Sequence, residues 1–136
     1  MLEKRSALDA DEWAVMRTHP LVGERILAPI EALANVVPVV RSSHERWDGG
    51  GYPDGLAGEE IPLGARIVAV CDAYRAMVEP RPYRPALGLE AARAELDRCS
   101  GTQFDPTVVT ALLRVLDAEL ESYELWRPDH LVEAAS

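Results

Sequence analysis

A glycine- and proline-rich segment at residues 47–63, WDGGGYPDGLAGEEIPL, is the feature that most constrains how this chain can fold. The three consecutive glycines at 49–51 reach backbone conformations that other residues rarely adopt, and they weaken any helix or strand placed across them. Loops of this length inside a compact domain are usually functional or mobile. We therefore expect regular elements on either side of a long, ordered Gly/Pro-rich loop.

Composition is that of one globular domain. The 136 residues are 48% hydrophobic and 27% charged, which allows a sizeable core and argues against disorder. No apolar run approaches the roughly 20 residues that cross a bilayer, and the opening MLEKRSALDADEW lacks the apolar centre of a signal peptide. We expect a cytoplasmic protein that does not bind membranes. Cys71 and Cys99 lack a CxxC spacing and are expected to be small, buried hydrophobic residues.

The charge distribution limits which classes of ligand the chain can bind. A formal net charge of -9 argues against binding long nucleic acid through its phosphates. The acidic residues are distributed unevenly along the chain. The segment from Arg41 to Arg84 contains six basic and seven acidic residues, whereas the remainder contains eight basic and sixteen acidic residues. The middle segment is therefore the part that tolerates a small anionic ligand.

Helical patterns dominate the first third of the chain. Asp9 and Glu12 form a capping-box pattern ahead of an apolar stripe. Because the residue before a proline avoids helical backbone angles, the step into Pro20 predicts that one helix ends near Thr18 and another begins at Pro20. A further helix is predicted at 31–46, kinked or delayed by its proline.

Three more helices are predicted after the loop, and no alternating strand pattern competes with them, so the predicted class is all-α. The first covers 64–78 and has apolar residues at a helical period. The second covers 89–98 and is stopped by Gly101. The third begins at Asp105-Pro106, an N-cap followed by the favoured first helical residue, and runs to about residue 120. The expected buried positions of the first are Ile67, Val70, Cys71, Tyr74 and Met77.

The three histidines are candidates for acid-base or metal chemistry. His19 lies at the predicted helix junction, His44 near the end of a predicted helix, and His130 in the polar C-terminal segment. Taken alone, each is also consistent with an ordinary role: capping a helix, bonding a loop carbonyl, or solvation. Glu45 is expected to pair with Arg41 or Arg46 at the helix end.

Asp72 is the most informative single carboxylate. It lies within the most apolar predicted helix, on the side of the small residues Ala65, Ala69 and Ala76. A charge in that position needs a partner. The alternatives are a bound metal ion or an ion pair with Arg75 or Arg46.

Together these segments resemble the distal part of the HD-GYP domain, a family of bacterial metal-dependent phosphodiesterases that open the signalling molecule cyclic di-GMP. The resemblance is carried by HERWDGGGYPDGLAGEEIPLGARIVAVCDAYRAM from residue 44, by RPYRP and GTQFDP after it, and by LDADEWAVMRTHPLVGERIL before it. It covers residues 2–116. It implies an all-α helical bundle of the HD-domain type, with about five to six helices around the Gly/Pro-rich loop.

The resemblance also implies roles for individual residues. His19, His44 and Asp72 would be metal ligands, a donor set that suits iron or manganese. A turn of Gly51, Tyr52 and Pro53 would form the rim of the site, and Arg81 and Arg84 would contact the phosphates. The implied ligand is a cyclic dinucleotide or another small phosphodiester.

The sequence departs from the family pattern in three places. The adjacent His-Asp pair followed by a lysine is absent, Ser43 stands where the family has a second histidine, and Arg75 stands where a second aspartate is common. We therefore predict a partial HD-GYP-like domain at residues 1–120 that lacks the helices bearing the pair, a C-terminal tail at 121–136, and no hydrolysis by this chain alone. The alternatives are a degenerate, metal-free module that binds a nucleotide or a signalling protein, and a self-associating helical scaffold.

Overall fold

The structure is a computed structural model that describes residues 7–80 and 86–126. Within those ranges it contains helices and no strand beyond the isolated bridges Asp48–Ala57 and Ser100–Phe104. The all-α prediction is therefore confirmed. The helices are α1 (Ala10–Leu27), α2 (Val37–Arg41), α3 (Leu63–Val78), α4 (Leu89–Arg98) and α5 (Pro106–Trp126), with 3₁₀ turns at Glu31–Leu33 and Gly58–Glu60.

Helix α1 is continuous through Pro20, so the predicted break at Thr18 is wrong. The helix begins at the expected capping box, in which the Glu12 amide donates to Asp9 and the Asp9 amide donates to Glu12, each at 2.9 Å. Proline removes one backbone hydrogen bond from a helix interior. Pro20 is the buried residue of α1, and its packing offsets that loss. Local preference is here outweighed by tertiary burial.

Helix α2 is shorter than predicted. The 3₁₀ turn at Glu31–Leu33 precedes it, and Pro38 lies in its first turn, where the missing N–H costs nothing. The helix ends at Arg41, and tight turns continue the chain through His44. The prediction that His44 belongs to a helix is therefore wrong.

Two glycines let α2 pack closely between its neighbours. A Cβ at Gly23 of α1 would lie 2.7 Å from Cγ1 of Val40, and a Cβ at Gly64 of α3 would lie 2.8 Å from Cγ2 of Val39. Any larger side chain would push the helices apart. Helix α2 is thus the spacer that sets the position of α1 relative to α3.

The main core lies among α3, α4 and α5 and is formed by eight buried residues: Val70, Met77, Ala92, Leu96, Cys99, Phe104, Val108 and Val109. Burial of Cys99 agrees with the expectation, but Cys71 is exposed and Ile67 is 44% exposed. Those two predicted core positions are wrong, because α4 and α5 cover only the face of α3 that carries Val70 and Met77.

The start of α5 is tied to α3. Asp105 caps the helix by accepting a hydrogen bond from the Thr107 amide at 2.8 Å, and its other oxygen binds the Arg66 guanidinium at 2.8 Å. The predicted bounds of α4 match the structure, whereas α5 continues to Trp126, six residues into the segment predicted as a tail. None of the described helices combines the length and apolar character needed to cross a membrane.

Candidate functional site

A cleft of about 920 Å³ opens between α1 and α3. Its lining includes Trp13 and Arg17 from α1, His44 and Tyr52 from the Gly/Pro-rich loop, and Asp72 from α3. A volume of this size is in the range of sites for nucleotide-sized ligands. Two of the three predicted metal ligands, His44 and Asp72, therefore share one cavity.

His44 occupies the wall between this cleft and a second one. The second cavity, of about 280 Å³, is lined by His19 and Pro20 of α1 as well as by His44. The His44 imidazole stacks on the Tyr52 ring, with ring centroids 5.2 Å apart and 10° between the planes. The His44 carbonyl also accepts a hydrogen bond from the Tyr52 amide at 3.3 Å. Tyr52 of the loop therefore contacts both the ring and the backbone of this histidine.

Gly51 makes that contact possible. A Cβ at this position would lie 2.5 Å from the Arg46 nitrogen and 2.6 Å from both the Glu45 Cα and the His44 carbonyl oxygen. Such distances to backbone atoms are not tolerated, so only glycine allows the loop to fold back onto residues 44–46. Glycine is needed at position 51 for this close approach.

Glu45 fixes the far side of the loop. Its side chain is buried, at 4% exposure, and its two oxygens accept hydrogen bonds from the Asp54 amide at 2.7 Å and the Leu56 amide at 3.0 Å. The expected pairing of Glu45 with Arg41 or Arg46 is therefore wrong. The Glu45 carboxylate accepts hydrogen bonds from two backbone amides. If it were paired with an arginine instead, those two amides would lack an acceptor. The pattern of the sequence did not show this.

Arg41 joins three parts of the molecule. From the last turn of α2, its guanidinium makes two hydrogen bonds to Asp54 in the loop, both at 2.9 Å, and one to Glu24 of α1. These bonds raise the pKa of Arg41 further above its ordinary value, and the bond from Arg41 lowers the pKa of Asp54. The loop that carries Tyr52 is thereby tied to the helix that carries His19.

The turn after α4 is hydrogen-bonded to the start of the Gly/Pro-rich loop. The Trp47 amide donates to the Gln103 carbonyl at 3.1 Å, and the Asp48 amide donates to the Thr102 carbonyl at 2.8 Å. These residues belong to the GTQFDP segment at 101–106, in which the sequence indicated a helix stop and a helix start but no contact with the loop. Its backbone carbonyls anchor the start of the loop.

The pKa of His44 is sensitive to its surroundings. The pKa of His44, an exposed residue, is lowered, chiefly by partial burial of its ring and also by His19, while Asp72 acts in the opposite direction. Asp72 is exposed and makes no ion pair with any described residue. Its two expected partners are engaged elsewhere, Arg75 with Glu79 at 2.8 Å and Arg46 with Asp48 at 3.0 Å. The ion-pair explanation of Asp72 is therefore wrong.

Metal binding is only partly supported by this geometry. Imidazole and carboxylate donors suit iron or manganese. However, no three His, Cys, Asp or Glu side chains in residues 7–80 and 86–126 lie close enough together to hold a metal ion. The Ser43 hydroxyl is engaged with the Val40 carbonyl at 2.9 Å. The donor types fit a metal, but the described residues do not assemble a complete set. Arg81 and Arg84 lie outside the described residues.

Comparison with known proteins decides the family. A family model described as HD domain matches residues 1–108. The chain belongs to the HD domain family. The helical bundle expected from the HD-GYP resemblance is thereby confirmed.

Two curated relatives of this HD domain are cyclic di-GMP phosphodiesterases. The response regulator RpfG of Xanthomonas campestris is 46% identical over 116 residues, which cover 84% of this chain and 31% of that protein. A cyclic di-GMP phosphodiesterase of Vibrio cholerae is 40% identical over 122 residues, covering 85% of this chain and 25% of that protein. This HD domain therefore spans about a third or less of the length of these relatives.

A solved structure shares the fold. The crystal structure of a cyclic GMP-AMP specific phosphodiesterase of Vibrio cholerae superposes with a TM-score of 0.69 at 23% identity, covering 89% of this chain and 28% of that one. The likeness extends over nearly all of this HD domain. At that identity it describes the fold alone.

Proposed function

We propose that this HD domain takes part in the metal-dependent hydrolysis of a cyclic dinucleotide, with His19, His44 and Asp72 as metal ligands. The observation that carries the proposal is the position of His44. Its ring stacks on Tyr52 at the wall shared by two cavities, one of which is also lined by Asp72 and the other by His19. The lowered pKa keeps the imidazole neutral near pH 7, which is the form that binds metals.

The incomplete donor set limits what the 136 residues do alone. Because no three donor side chains converge in the described part of the chain, we propose that iron or manganese binds weakly here and that full occupancy needs ligands this chain does not contribute. Hydrolysis by the chain alone is therefore not expected. The turn of Gly51, Tyr52 and Pro53 and the Glu45 side chain then serve to hold His44 in position.

The cleft and the relatives support the proposed substrate class. The cleft of about 920 Å³ is large enough for a cyclic dinucleotide, and the middle segment is nearly neutral in a chain of charge -9. We propose that Gly51, Tyr52 and Pro53 form the rim over the ligand. Arg81 and Arg84 would bind its phosphates through their paired N–H groups.

A second candidate is a module that binds a nucleotide or a signalling protein without hydrolysing anything. The absence of a three-donor group among the described residues and the cation at Arg75, one turn from Asp72, favour it. The exposed Val22 and Ile26, at 47% and 65%, support a homo-oligomer or a protein partner on α1. In the first candidate His44 binds a metal ion. In the second it only maintains the conformation of the loop.

Elemental analysis of the purified 136-residue chain, prepared without chelator and without oxygen, tests the proposal. We expect iron or manganese below one per chain, lost in His44→Ala and in Asp72→Ala but retained in Glu59→Ala, an exposed carboxylate outside both cavities. Adding Mn²⁺ should then raise the occupancy of the wild type and of Glu59→Ala only. Metal that is absent from every sample, or that survives both ligand substitutions, would refute the metal proposal and favour the second candidate.

A further inference from the structure

The cleft wall formed by α1 carries an aromatic and a cationic side chain that the proposed metal site does not use. Trp13 and Arg17 both line the cleft, one helical turn apart, with Ala10 and Ala14 beside them. Residues at this spacing lie on one face of a helix. The small alanines leave the indole and the guanidinium projecting into a shared space.

Trp13 is not needed by the core. Its side chain is 45% exposed, and it belongs neither to the buried cluster nor to the residues packed around it. Across the cleft, Ala69 and Ala73 of α3 present small side chains. The space between the indole and these alanines is therefore open to a flat aromatic group.

Arg17 is also uncommitted. Arg46, which also lines the cleft, is ion-paired with Asp48, whereas Arg17 has no ion pair with any residue that the structure describes. Arg17 lines the cleft together with Tyr52 of the Gly/Pro-rich loop. An unpaired guanidinium beside an open aromatic face suits a ligand with a base and a phosphate.

We propose that Trp13 and Arg17 form a purine-nucleotide subsite, in which the indole stacks on one base and the guanidinium binds the adjacent phosphate. The proposal rests on the proposed function for its ligand class, a cyclic dinucleotide. It adds a base-binding residue from α1, on the wall opposite Asp72. Stacking on an aromatic side chain tolerates different bases because each base has a π-face. The subsite should therefore accept both guanine and adenine.

The test is equilibrium binding of cyclic di-GMP, of 3′3′-cGAMP and of GMP to the full chain in the presence of EDTA, which removes metal and hydrolysis from the measurement. Calorimetry gives the dissociation constants, and the part of the tryptophan quenching that is lost in Trp13→Phe reports on the indole of Trp13, since the chain has three tryptophans. Trp13→Ala should weaken binding of the dinucleotides by about tenfold to a hundredfold, with Trp13→Phe retaining part of the affinity. Arg17→Ala should weaken it by about tenfold and reduce its salt dependence.

Two substitutions on the same helix are matched controls. Val15 and Arg25 are exposed residues of α1 that line neither cavity, so Val15→Ala and Arg25→Ala should bind within about twofold of the wild type. Circular dichroism of each variant checks that the helices persist. Because both tested side chains are exposed, their loss should not unfold the chain.

The outcomes separate this inference from the proposed function. Dinucleotide binding that is unchanged in Trp13→Ala and Arg17→Ala would overturn the subsite and leave the proposed substrate class standing. GMP that quenches Trp13 while neither cyclic dinucleotide binds would support the subsite and contradict the proposed substrate class. No binding of any of the three nucleotides to the wild type would overturn both.

Discussion

The imidazole of His44 and the phenol ring of Tyr52 lie nearly parallel, 5.2 Å apart between centroids. They are eight residues apart in sequence, and Gly51 is what lets the chain return so closely, since a Cβ there would collide with the backbone of residues 44–46. The glycine-rich turn therefore acts as a rigid support for one histidine. Its composition resembles that of a flexible linker, but its contacts are those of a packed element.

Replacing Tyr52 by alanine should release the His44 ring. In the metal-free chain the His44 ring protons should lose the upfield shift that a stacked aromatic ring produces, and the chain should become about 1 kcal/mol less stable, the usual worth of an aromatic pair. Tyr52→Phe keeps the ring and should preserve both properties. Proton NMR follows the shift, and the three histidines are assigned by single substitutions. An unchanged His44 spectrum in Tyr52→Ala would show that stacking does not hold the ring.

Gly51→Ala should destabilise the fold because its Cβ meets backbone atoms that cannot move independently. The 2.5 Å and 2.6 Å approaches predict a loss of about 1–3 kcal/mol in the free energy of unfolding. Gly50→Ala is the matched control, since its Cβ would lie 3.1 Å from a carboxylate oxygen of the Asp48 side chain, which is exposed and can shift. Urea denaturation of the two variants measures the difference. Equal losses at both positions would contradict the close-approach argument.

Glu45→Ala should be more damaging than removal of an exposed glutamate. The change removes a buried acceptor and leaves the part-buried amides of Asp54 and Leu56 without their hydrogen-bond partner, and an unsatisfied donor costs up to about 1–3 kcal/mol. Glu59→Ala, an exposed change outside the loop contacts, should cost less than about 0.5 kcal/mol. Hydrogen exchange at the Asp54 and Leu56 amides should accelerate in Glu45→Ala only. Retained protection of both amides would rule out the anchoring role of Glu45.

The helices were predictable where local signals agreed with packing. The capping box at Asp9 and Glu12 and the Asp105-Pro106 start of α5 were each confirmed within the structure. At Pro20 the local signal failed, because a buried ring compensates for one missing hydrogen bond in α1. The exposure of Cys71 was missed for a related reason. A helical period reveals which residues are apolar but not how much of that face its neighbours cover.

The candidate site was predictable as a set of residue types rather than as an arrangement. Single histidines and an aspartate, read with the family resemblance, pointed to the cleft that contains His44 and Asp72. The role of Glu45 depends on bonds to amides nine and eleven residues away. Likewise, Arg41 binds groups on two other elements. Such long-range pairings leave no periodic trace in one sequence, so only the fold reveals them.

Replacing Arg41 by methionine should change how stability depends on pH. The hydrogen bond from Arg41 is the largest cause of the lowered pKa of Asp54. A depressed carboxyl pKa contributes stability above the unfolded value of 3.8 that is lost as pH falls through the folded pKa. The wild type should therefore exceed Arg41→Met in urea midpoint near neutral pH, and the gap should shrink below about pH 4. Arg75→Met is the control, because its pair with Glu79 lies within one exposed helix turn and contributes little. A gap that stays constant down to acid pH would mean that Arg41 acts by packing alone.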